Sequence, residues 1–70
     1  MARVYEVEFL KMGHLDVAGE LVKKPRTIRL IVTANTRRSA QHFAFLELRR
    51  TRPRDYREFM TRFVSFLRTI

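Results

Sequence analysis

The 70-residue chain reads as one small α+β domain, residues 1–70, in which a three-stranded antiparallel meander is followed by two helices packed on one sheet face, order βββαα. Three observations predict it. The first half alternates apolar and polar residues with period two. Residues 34–50 carry a capping candidate and a helical apolar stripe. From Pro53 to Ile70 the apolar residues recur three and four apart.

In "RVYEVEFLK" Tyr5, Val7 and Phe9 fall on one side and Glu6 and Glu8 on the other, the mark of a half-buried strand. Gly13 in "KMGH" suits a tight turn. "LDVAGELV" alternates again, with Leu15, Val17 and Leu21 opposite Asp16 and Glu20; Gly19 suggests a bulge or a close backbone approach. Pro25 interrupts the pattern because it has no N–H for a ladder. "TIRLIVTA" is the third strand, turning Ile28, Leu30 and Val32 to the core and Thr27, Arg29, Ile31 and Thr33 away. On that outer face Glu6 and Glu8 meet Arg29 or a neighbouring Lys, worth about 0.2–1 kcal/mol a pair.

"ANTRRSAQHFAFLELRR" is the first helix, capped by Asn35 or Thr36, whose side-chain oxygens accept from free backbone N–H groups. Its apolar stripe is Ala40, Phe43, Ala44 and Leu48. Glu47 falls inside that stripe and needs an Arg partner. "FAFLEL" also alternates, so residues 43–48 fit a helix or a strand. Phe45 and Leu46 lie outside the stripe; left exposed, they mark an interface. In the second helix Tyr56, Phe59, Met60, Phe63, Val64, Phe66, Leu67 and Ile70 share one face. Pro53 opens it, Asp55 occupies the first turn and Arg68 the last, with the signs the helix dipole favours.

The chain has no cysteine, so neither a disulfide nor a thiolate metal site is available. Six Phe in so short a chain, with so small a core, suggest a homodimer. Glu6 and Glu8 occupy the place where a secretory leader needs its apolar core, and no apolar run approaches the ~18 residues of a membrane span; a cytoplasmic, membrane-free protein is expected.

The net charge of +8 and pI near 11.4 favour a polyanionic partner. The densest run is "RRTRPRDYR", with Arg49, Arg50, Arg52, Arg54 and Arg57 against one Asp. Crowded guanidinium groups repel unless an anion lies nearby, and phosphate backbones supply one. Arg37 and Arg38, in the first turn of the first helix, oppose its dipole; with Thr36 and Ser39 they are a second phosphate candidate. Lys23, Lys24 and Arg26 form a third cluster. Tyr5 and Tyr56 are candidates for stacking on a base, though Tyr56 also suits the core. No zinc-finger spacing, heptad or RNA-binding sheet signature accompanies these clusters, so backbone grip without base readout is expected.

Catalysis is not expected. Ser39 and His42 are three apart on one helix but lack an orienting third group, His14 and His42 lack further metal ligands, and two Gly are too few for a phosphate loop. No cofactor or metal is implied. Two functions fit: an accessory protein gripping DNA or RNA phosphates, or a small viral or mobile-element regulator docking on an acidic host protein.

Overall fold

The structure, a computed structural model, describes residues 2–70. Its centre is β1 (Arg3–Lys11), which pairs antiparallel with β4 (Arg26–Ala34) on one edge and with β5 (Phe59–Thr69) on the other. Both neighbours run against β1, so β4 and β5 are parallel to each other. The link between them is one helix, α1 (Arg37–Thr51), and a 3₁₀ turn (Tyr56–Glu58).

The alternation of β1 does what its period implies. Tyr5, Val7 and Phe9 point to α1 and are at most 3% exposed. Ala40, Ala44 and Leu48, each four residues on from the last, close over them, with Ala34 and Phe59 completing the buried core. Alanine at two of the three helix positions lets the backbone approach the sheet closely. Ile28, Leu30, Val32, Tyr56 and Val64 pack around the margin. Thr36 caps α1, its Oγ1 accepting from the Ser39 N–H at 3.1 Å.

The βββαα expectation is overturned at two places. The first is Pro53–Ile70, which forms no second helix. After the 3₁₀ turn it is the eleven-residue strand β5. Phe and Thr recur in that stretch and, with Val64, suit a pleated surface, and the free edge of β1 takes up its backbone hydrogen bonds. The helical spacing is a product of two register shifts. Phe9 pairs with Thr61 but Glu8 with Phe63, and Tyr5 pairs with Phe66 but Val4 with Arg68. Arg62 and Leu67 are thus supernumerary residues, and Phe59, Thr61, Val64 and Phe66 reach one face at intervals of two, three and two.

The second correction concerns residues 15–22. No central strand forms there, and β1 pairs with β4 directly. β2 (His14–Leu15) and β3 (Leu21–Lys23) make a separate hairpin, with Leu15, Val17, Leu21 and Val22 exposed. Its tip is an Asx turn: Asp16 Oδ1 accepts from the N–H groups of Ala18 and Glu20, each at 2.9 Å, and Gly19 takes φ 81°. At its base Gly13 is needed for space, since a Cβ there would lie 2.3 Å from the Lys23 carbonyl oxygen. The molecule is consequently long, 53 × 21 × 14 Å.

Residues 43–48 are helical. Phe43 leaves the predicted stripe and is exposed, while Glu47 pairs with Arg50. Among the described residues no helix is long and apolar enough to cross a membrane.

Candidate nucleic-acid interface

α1 presents a continuous stripe away from the core. Positions 38, 42, 45 and 49 follow i, i+4, i+7, i+11, so Arg38, His42, Phe45 and Arg49 share one side over on the order of 16 Å of axis. That side borders β5. Arg38, Gln41, His42, Phe45 and Thr61 line a shallow hollow, and Gln41 Nε2 donates to Thr61 Oγ1 at 3.2 Å across it. Beyond Phe45 lies Tyr56, the two rings edge-on with centroids 5.6 Å apart. The Arg57 guanidinium sits 5.6 Å from the Tyr56 ring centre, and its Nε donates to the phenol oxygen at 3.2 Å. That hydrogen bond, helped by the charges of Arg57 and Arg49, lowers the Tyr56 pKa below the usual phenol value. Aromatic faces interleaved with cations therefore run from Arg38 to Arg57.

The seven Arg singled out in the sequence do not act as one group. Arg49 and Arg50 lie in the last turn of α1, where cations complement the helix dipole. Arg50 turns to Glu47 and makes two hydrogen bonds to its carboxylate. Arg52 is held by Asp55 through Nε–Oδ1 at 3.0 Å and Nη2–Oδ2 at 2.8 Å, and its guanidinium lies 5.3 Å from the centre of the Phe59 ring. Lys11 approaches Asp55 at 3.3 Å and Glu58 at 3.2 Å. The Arg52 hydrogen bonds and, less strongly, Lys11 depress the Asp55 carboxyl to about 2. This cluster ties the loop after α1 to the end of β1, so Arg52 is a strut. Arg49, Arg54 and Arg57 form no ion pair among the described residues, nor do Arg37 and Arg38. The last two diverge: Arg38 joins the stripe, whereas Arg37 lines a cleft with Arg3 at the start of α1.

No protein-family model, no curated protein and no solved structure matches this chain.

The other candidates are dispersed. Lys23, Lys24 and Arg26 line a separate hollow at the base of the hairpin with Lys11, Met12 and Pro25. Ser39 Oγ accepts from the Thr36 hydroxyl at 3.0 Å, which commits it to the cap; His14 is on β2 and His42 on α1. Phe45 and Leu46 are 37% and 41% exposed, but one residue's rotation separates them, and only Phe45 meets Tyr56.

Two further carboxylates, Glu6 and Glu8, lie on the sheet face away from α1, while Asp16 and Glu20 belong to the hairpin turn. Glu8, 6% exposed, accepts from Arg29 Nε at 2.8 Å and lies 3.7 Å from Arg62. Glu6 lies 3.7 Å from the same Arg29. Among the described residues the ion pairs thus occupy five of the seven carboxylates, Glu6, Glu8, Glu47, Asp55 and Glu58, and none of them touches the Arg38–Arg49 stripe.

Proposed function

We propose that this protein is a small non-enzymatic accessory protein that binds nucleic acid through its phosphate backbone, using Arg38, Arg49, Arg54 and Arg57. The observation that carries the reading is the stripe Arg38–His42–Phe45–Arg49, continued by Tyr56 and Arg57, on which no cation meets a carboxylate among the described residues. Unpaired guanidinium groups hold exchangeable counterions, and releasing these to a polyanion is the main electrostatic gain of such binding. Phe45 and Tyr56 add faces on which an unpaired base can stack, which favours single strands over duplex. Arg50 and Arg52 lie outside the site because each already has an intramolecular anion.

Anisotropy titrations of labelled single- and double-stranded DNA and RNA at two salt concentrations test the proposal. Arg38→Ala/Arg49→Ala/Arg57→Ala is expected to weaken binding on every sequence and to flatten the salt slope by about one unit for each phosphate the variant no longer neutralises. Arg50→Ala should leave that slope unchanged. Equal binding by the triple variant and the native chain would overturn the assignment and return the surface to the other expectation, docking on an acidic protein.

A further inference from the structure

We propose a second site: a cleft at the N-terminus of α1 that binds a phosphoryl dianion. Arg3, Tyr5, Thr36, Arg37, Phe66 and Thr69 line an open cleft of about 490 Å³ there. Three elements deliver the donors to one end of the molecule. β1 starts there with Arg3 and Tyr5, β5 ends there with Phe66 and Thr69, and α1 begins there.

Each donor is free for a ligand. The first turn of α1 holds no acidic residue. Its Ser39 and Ala40 N–H groups are taken by Thr36, through Oγ1 and the carbonyl, while those of Arg37 and Arg38 have no partner among the described residues. Neither Arg3 nor Arg37 forms an ion pair among them. The independent observation is Tyr5. It is 3% exposed, its ring packs edge-on to Phe66 at 5.8 Å, and it lines the cleft with a hydroxyl that makes no hydrogen bond to a described residue. Among the described residues no buried side-chain nitrogen or oxygen lacks a partner, so this hydroxyl opens to the cleft, where its acceptor must lie. Here two guanidinium groups and a helix N-terminus converge beside it, so an anion is the acceptor that suits the place. Donors arriving from several directions fit a tetrahedral phosphoryl group better than a planar carboxylate. The cleft also exceeds one phosphate in size and leaves room, against the half-exposed Phe66 ring, for the group that bears it. This site does not depend on nucleic-acid binding by the α1 stripe.

An NMR titration of the ¹⁵N-labelled chain with inorganic phosphate tests it. The Arg37 and Arg38 amides should move most, Tyr5→Phe should weaken the dissociation constant about three- to tenfold, and Arg37→Ala should weaken it further. Tyr5→Phe keeps the ring, so its effect reads the hydroxyl and not the core. An oligonucleotide with a 5′-phosphate is compared with the same strand lacking it. A larger response at Arg37 and Arg38 from the phosphorylated strand assigns the ligand to a nucleic-acid terminus; equal responses alongside phosphate binding assign it to a small phosphorylated molecule. Unmoved Arg37 and Arg38 amides, or variants that titrate like the native chain, would overturn the proposal. Because inorganic phosphate is the probe, that outcome is separate from failure of the α1 stripe to bind nucleic acid.

Discussion

The two faces of β1 are covered to different extents and by opposite means. On one, Tyr5, Val7 and Phe9 lie under a helix, and dispersion attraction to Ala40, Ala44 and Leu48 accompanies the exclusion of solvent. On the other, no element lies over the strand. Glu8 is shut in by Arg29 and Arg62, and Val4 is flanked by Thr33 and Arg68 on the neighbouring strands. The helix-covered side holds the fold together because apolar burial there is not offset by desolvation. The ion-paired side is closer to neutral, since each charge taken from water must be compensated by its partner.

The largest way to break that contrast is on the covered side. Phe9→Ala, at a residue 1% exposed, should cost about 3–5 kcal/mol in urea unfolding, a large part of the stability of so small a domain. Glu8→Leu on the other side should shift the melting temperature by less than about 5 °C in either direction, because the Arg29 it releases is already 66% exposed. A loss as large as that of Phe9→Ala would show that the ion cluster, too, carries the fold. The smallest effect is at Asp55. Its carboxyl lies at about 2 when folded and at 3.8 ordinarily, so the pairing contributes fully above about pH 4 and is lost as the pH falls through 2. Thermal melts of the native chain should therefore lose an increment between pH 4 and 2 that Asp55→Asn lacks.

The same contrast sets what was legible in the sequence. Alternation in Tyr5–Phe9 and Ile28–Val32 identified strands, because a two-sided strand must alternate, and Thr36 and the Ala40–Leu48 spacing identified α1. The pairing of Glu6 and Glu8 with Arg29 follows from the same alternation. β5 was hidden because Arg62 and Leu67 stretch its period toward that of a helix. The hairpin was hidden because Leu15, Val17 and Leu21 carry a core pattern with no layer to bury them. At the site, adjacency along the chain was a poor guide: Arg50 and Arg52 each have a carboxylate three residues away, Glu47 and Asp55, that neutralises them. Arg38, His42, Phe45 and Arg49 are readable only when helical spacing is applied to polar and apolar residues together. Arg3 and Tyr5 meet Arg37 through the antiparallel return of the chain, which local pattern does not encode.

The supernumerary residues of β5 have a further consequence. A long outer strand is a template on which another polypeptide can add its own backbone. With an extra residue at Arg62 and another at Leu67, a straight incoming strand would fall out of phase with β5 within a few residues. Loss of phase thus guards this border against edge-to-edge polymerisation, which leaves the arginines of α1 free of any such defensive duty.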